Sequence, residues 1–288
     1  MMNMDVVNSM LEKALQDKRI SRINDFLVIT DQIDYPETDQ VIPLFPEQQF
    51  FLDEIVVDKI NGAEALEIGI GSGVLSIGVI KAGAKKVTAL EINPRAKMFA
   101  GFNFLLNGLE NQVEIAEGHQ EDIWKPVAGK QFDYLISNPP FEPTPPGVDY
   151  YLHSAAGQYG LDFINSIFRG MDDHLSEDGH GQIVTVAPGD DKEPFMLLDL
   201  ITESLPGTTL VKVNPISLKF DTGLDLLIET GMAATVEQVK EMKQQAQKDG
   251  ISHEYLCMIH YEKGLKKLKV QPSIAYPNWE LPLSVSSA

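Results

Sequence analysis

The chain of 288 residues holds a single cysteine, Cys257. One thiol excludes an internal disulfide and suits a reducing compartment. Within EYLCMIHY it reads as a small buried apolar side chain rather than a nucleophile. Positive charge is scarce: 23 Lys and Arg stand against 42 Asp and Glu, a net charge of −19. Gripping a phosphate backbone takes clustered cations, so this balance argues against a nucleic-acid partner. The one dense basic stretch, KGLKKLKV at 263–270, reads as a solvated connection. No apolar run passes about ten residues without Gly, Pro or a charge, too short for a membrane span. The N-terminal stretch carries acids early and lacks an apolar segment, so no secretory leader is expected. A cytoplasmic location follows as the expectation. Six histidines and many acids show no metal-ligand spacing, so no metal is expected.

Apolar positions Val6, Val7, Met10, Leu11 and Leu15 predict a helix over 6–19, and the Pro- and Asp-rich 31–46 a loop. Residues 1–46 thus form a short helical extension, and 47–288 one domain with insertions from about 190. Phe50, Phe51, Ile55, Val56 and Ile60 predict a helix ended by Asn61-Gly62. Strands at 65–70, 86–92, 112–118, 132–138 and 181–188 then alternate with helices. That alternation predicts an α/β fold with a parallel sheet and right-handed crossovers. Further on, LVKVNPI and DLLIET read as strands, 235–249 as a charged helix and HEYLCMIHYEKG as a final strand. Nothing in the pattern fixes an oligomeric state.

The first strand runs into Glu67-Ile-Gly69-Ile-Gly71-Ser-Gly73, ahead of a helix. Glycines there let the chain turn sharply and let a ligand touch the backbone. The dinucleotide fingerprint G-x-G-x-x-G/A fails from Gly69, where Val74 takes the third place, and fits marginally from Gly71 with Ser76. Glu91 ends the second strand, about 20 residues on, placed to accept ribose hydroxyls of either cofactor class. The fourth strand stops on Asn138-Pro139-Pro140-Phe141. Two prolines cannot continue a strand, and each keeps its predecessor extended, so the segment is stiff.

The order E-x-G-x-G-x-G, then Glu91, then strand-N-P-P-F resembles class I S-adenosylmethionine-dependent methyltransferases of the N-P-P-[YF] group. Those act on planar amide and amine nitrogens of release factors, adenines and guanines. The resemblance spans about residues 43–190. QVIPLFPEQQFF resembles the I-P-R-P-E-T-E segment of the glutamine methyltransferases, without its arginine and one residue longer. GQYGLDFINSIF resembles their G-x-x-G-L-D-F helix start, and Phe141 stands where tyrosine is usual. The resemblance implies a Rossmann-like, doubly wound, mostly parallel seven-stranded sheet. It implies S-adenosyl-L-methionine held by Glu67, Gly69, Gly71, Gly73, Glu91, Ile92 and Asn138. His119, Gln120 and Asp122, just past Gly118, are its candidates for meeting the adenine.

Nitrogen methylation explains Asn-Pro-Pro-Phe. The Asn138 oxygen and the Pro139 carbonyl can each accept one N–H of the target and turn its lone pair toward the methyl. Pro140 keeps that carbonyl preset, and Phe141 can stack on a planar group. Tyr150, Tyr151 and His153 are candidates for a lid, His153 also for a base. The expected activity is N-methylation of a planar amide or amine on a protein side chain or small metabolite. Alternatives are an N-methyltransferase of adenine or guanine in rRNA or DNA, and a non-catalytic S-adenosylmethionine-binding scaffold.

Overall fold

The computed structural model describes residues 17–148, 150–229 and 234–283. The helix expected over 6–19 lies mostly outside the described residues, and its last two, Lys18 and Arg19, are strand. Strands β1 (Lys18–Ile23) and β2 (Phe26–Asp31) form a hairpin in place of further helix. Asn24 makes its turn at φ 50°, a left-handed conformation that asparagine tolerates. The hairpin buries Ile23, Phe26 and Val28 in the same core as the rest of the chain.

The single helix expected over 50–60 is two, α1 (Pro46–Asp53) and α2 (Val57–Ile60). Between them Val56 is extended, and its N–H donates to the Tyr134 hydroxyl at 3.2 Å. A tertiary partner thus breaks a helix that the local pattern would continue.

Then follow β3 (Glu64–Ile68), α3 (Val74–Lys81), β4 (Lys86–Glu91), α4 (Pro94–Leu106) and β5 (Val113–Glu117). After a 3-10 turn come β6 (Phe132–Ser137), α5 (Asp162–His174), β7 (Leu175–Gly189), α6 (Phe195–Ser204) and β8 (Thr208–Val213). The chain ends through β9 (Leu218–Lys219), α7 (Phe220–Glu229), α8 (Val236–Lys248), β10 (His253–Glu262) and β11 (Lys267–Pro272).

The main sheet runs β11-β8-β10-β7-β6-β3-β4-β5, with β9 pairing β10. Strands β5, β4, β3, β6 and β7 are parallel, and β10 inserts antiparallel between β7 and β8. Together they make the seven-stranded sheet that the resemblance implies, and β9 and β11 extend it to nine. Alternate residues enter opposite layers: Tyr134 and Ile136 face α1 and α3, while Leu135 faces α5. Both faces are covered, the condition a parallel sheet requires. Cys257 is fully buried.

Two expectations for the last third need correction. Of DLLIET, residues 225–229 are not strand but the end of α7, and Thr230 lies outside the described residues; Phe220, Leu224 and Leu227 recur at helical spacing and pack on Val239 and Met242 of α8. KGLKKLKV is not all connection, since β11 starts at Lys267 and pairs parallel with β8. Half-buried Leu268 packs on the core while Lys267 and Lys269 stay exposed, charges that protect a sheet edge. Among the described residues, no helix is long and apolar enough to cross a membrane.

Candidate active site

The chain leaves β3 for β4 on one side, then returns to β6 on the other. A crevice opens where the strand order reverses, beyond the carboxyl ends of the strands. The Ser137 hydroxyl donates to the Ile68 carbonyl at 2.7 Å and ties the ends of β6 and β3 together. A cavity of about 350 Å³ fills this crevice.

One end is built from the glycine turn. Gly69, Gly71 and Gly73 stand at φ 77°, 51° and 81°, where other residues are strained. A Cβ at Gly69 or Gly71 would point into open space, so a ligand can approach that backbone directly. Gly73 has a second reason. Its Cβ would come to 2.9 Å from the buried Phe104 ring of α4. It caps α3 and does not line the cavity, unlike Gly69 and Gly71. The Asn103 amide braces the turn from outside, donating to the Ser72 and Ile29 carbonyls at 2.9 Å each.

Glu67 sits beneath the turn, buried, and accepts from the Ser76 hydroxyl of α3. Burial, with the nearby Glu91 charge, pushes its carboxyl up to about 8. Glu91 ends β4 beside the turn. Its Oε1 accepts from the Ile92 and Asn93 amides at 2.9 and 2.8 Å, and its Oε2 from the Gly71 amide at 3.1 Å. A carboxylate has about four acceptor positions, so one remains, on Oε2. Oε2 thus keeps an acceptor position for a ribose hydroxyl. Gly118 passes so close to β4 that a Cβ would meet the Ile92 side chain at 2.9 Å. Ile92, His119 and Gln120 line this end beside it. Asp122 does not; it caps the Trp124 amide on the exposed side.

Asn138, Pro139, Pro140 and Phe141, which follow β6 directly, also line the cavity. The Asn138 Oδ1 atom is buried and has no hydrogen-bond partner among the described residues. An acceptor stripped of water with no donor costs about 1–3 kcal/mol, so its position marks where a donor belongs. Beside it lies Glu47 of α1, which is buried and takes the Gln48 amide at 2.9 Å. Burial lifts Glu47 to about 7, against the pull of the Gln48 and Asn138 side chains. Glu142 is also raised by burial, and accepts from the Ser154 hydroxyl at 3.0 Å.

Of the lid candidates, Tyr150 and His153 line the cavity, while Tyr151 stacks on His153 from behind with ring centroids 5.1 Å apart. His153 is no free base: its Nε2 meets Gln40 Oε1 at 3.1 Å, and burial lowers it to about 4. Sequence reasoning missed Gln40, Glu47, Gln48 and Glu142. The segment QVIPLFPEQQFF carried the signal for the first three, and Glu142 follows Phe141 directly.

Residues 48–196 match the methyltransferase small domain family. The chain belongs to that family. A protein named as an N5-glutamine methyltransferase of Methanocaldococcus jannaschii is 32% identical over 151 residues, 51% of this chain and 73% of that one. A tRNA1(Val) (adenine(37)-N6)-methyltransferase of Shewanella amazonensis is 28% identical over 127 residues, 44% of this chain and 54% of that one. The solved structure of an S-adenosylmethionine-dependent methyltransferase from Agrobacterium tumefaciens shares the fold at 15% identity. Its TM-score is 0.53, with 86% of this chain and 71% of that one covered. The chain is a methyltransferase, and its cofactor is S-adenosylmethionine. The open backbone at Gly69 and Gly71 and the free position on Glu91 Oε2 fit that nucleoside.

Two results are expected from this methyltransferase. Calorimetry on Glu91→Ala should show cofactor binding weaker by about 1–3 kcal/mol, because a charge-assisted acceptor is lost and the Gly71 amide is released. Equal affinity in both proteins would remove Glu91 from the ribose. The second concerns pH. Glu47 and Glu67 hold protons in the folded chain, at about 7 and about 8, that the unfolded chain releases near 4.5. Their contribution to stability is full below about 4.5 and is lost as pH rises through 7 and 8. The thermal midpoint of the ligand-free protein should fall between pH 5 and 8.5, less steeply in Glu67→Gln. An unchanged slope in that variant would exclude a buried, protonated Glu67.

Proposed function

We propose that this methyltransferase acts on a planar amide or amine nitrogen of a protein side chain or small metabolite. The observation that carries this is the buried, partnerless Oδ1 of Asn138, a residue of the cavity lining. Bound S-adenosylmethionine supplies an electrophilic methyl group. Gly69, Gly71 and Glu91 hold the nucleoside, with Ile92 and Gln120 as candidates for the walls of the ring. Asn138 Oδ1 and the Pro139 carbonyl accept the target's N–H groups and orient its lone pair. The proline pair keeps the carbonyl in place, so little reorganisation accompanies the reaction. Phe141 covers the target's flat face.

Methylation of an adenine or guanine base is the second reading, favoured by the tRNA-directed relative. The net charge of −19 weighs against it, as does a cavity wall with no Lys or Arg among the described residues. A scaffold that binds the cofactor without catalysis would have no need of an oriented Asn138. The test is transfer of labelled methyl from the cofactor to cell extract split into protein, RNA and small-molecule fractions. Label in the RNA fraction alone would replace the leading reading, and label in none would favour the scaffold.

A further inference from the structure

We infer that Glu47 is a positioning residue for the transfer: its carboxylate takes the Asn138 Nδ2–H and so turns Oδ1 toward the target nitrogen, while its neutral acid lets the Asn138 amide turn over. This rests on the acceptor role proposed above for Asn138 and adds the group that sets its direction.

The oxygen and the NH2 of a carboxamide are alike in shape and opposite in hydrogen bonding, so packing alone does not choose which of them Asn138 shows to the cavity. Gln48 does not choose either. Its Oε1 accepts the Phe45 amide at 2.6 Å, which leaves its Nε2 to donate to Glu47 Oε1 at 2.9 Å. Glu47, in the first turn of α1 and 6% exposed, is thereby fixed as an acceptor in the cavity wall. The Asn138 amide is its second side-chain donor. With Nδ2 turned to Glu47, Oδ1 is left buried and without a partner among the described residues. An ionised carboxylate accepts and never donates, so the reverse orientation would set oxygen against oxygen.

A neutral Glu47 changes the choice. Its O–H can donate to Oδ1, which removes the cost of a buried acceptor without a donor. Asn138 then shows NH2 to the target nitrogen, and N–H meets N–H with only the Pro139 carbonyl left to accept. Glu142, in the segment after β6, faces Glu47 and disfavours its charge. Glu67 of β3, Glu91 of β4, and Tyr150 and His153 line the same cavity, with no Lys or Arg among the described residues. Burial among these groups places the change of state at about 7, so both orientations are reachable near neutral pH.

The test uses the full chain, isotope-labelled at its side-chain amides, with S-adenosylhomocysteine bound. The Asn138 pair of N–H resonances is the one missing from Asn138→Ala. It should move between pH 6 and 8 with a midpoint of about 7, stay fixed in Glu47→Gln and still move in Glu142→Gln. Methyl transfer to whichever fraction of the extract takes label should rise about tenfold over the same range, in step with the ionised share of Glu47. Glu47→Gln should flatten that rise with cofactor affinity unchanged. It should add no further loss to Asn138→Ala, because Glu47 acts through Asn138. Resonances that stay fixed in the wild type, movement that survives Glu47→Gln, a flat wild-type rate, or additive losses in the double variant would each overturn the positioning role. Label in no fraction would remove the proposed N-methylation instead, and the amide titration, which needs no acceptor, still decides Glu47.

Discussion

Asn138→Ala should cut methyl transfer by about 10²–10³-fold, roughly 3–4 kcal/mol, and leave cofactor affinity nearly intact. The lost group is the buried, partnerless Oδ1 of a residue that lines the cavity just past the end of β6. Were Asn138 only a strand stop, the substitution would cost some stability and little turnover. Asn138→Asp is the sharper comparison. It keeps an oxygen of nearly the same shape but adds a carboxylate beside Glu47 and Glu142. That charge favours the cationic cofactor before transfer more than after it, so the barrier rises, though less than for alanine. Single-turnover rates and cofactor calorimetry on both variants decide the matter. Near-normal turnover in Asn138→Ala would remove the nitrogen-acceptor role and leave a methyltransferase with an unknown target atom.

Phe104→Ala should destabilise the fold by about 3–5 kcal/mol, the range for emptying a buried aromatic site. Phe104 is 2% exposed and packs in the core that joins α3, α4 and the hairpin. Its ring fills the space where a side chain at position 73 would stand. The cavity left behind therefore lies directly under the glycine turn. Besides a lower denaturation midpoint, cofactor affinity should fall, although Phe104 touches no ligand. A stability loss below about 1 kcal/mol would mean that the turn is held by Asn103 and the backbone alone.

The local signals in this chain have short range. Strand alternation from residue 64 to 189 and the glycines before α3 specify the parallel sheet, because periodicity and backbone freedom belong to neighbouring residues. The positions of Gly69, Gly71, Glu91 and Asn138–Phe141 at the strand ends follow from the same pattern. The N-terminal hairpin did not, since β1 and β2 gain their stability by packing on α4, some 75 residues away, where Asn103 accepts the Ile29 amide at 2.8 Å. The break between α1 and α2 depends on the distant Tyr134 hydroxyl, and the helical state of residues 225–229 on α8. The acceptor end was the least legible part. Gln40, Glu47 and Glu142 come from the 31–46 loop, the start of α1 and the segment after β6, and meet only in the folded cavity. Burial, which gives Glu47 its proton, belongs to that convergence. The amino-acid sequence by itself determined the scaffold and the cofactor turn; only the tertiary structure decided the chemistry of the pocket facing them, because solvent exclusion is a property of the assembled chain.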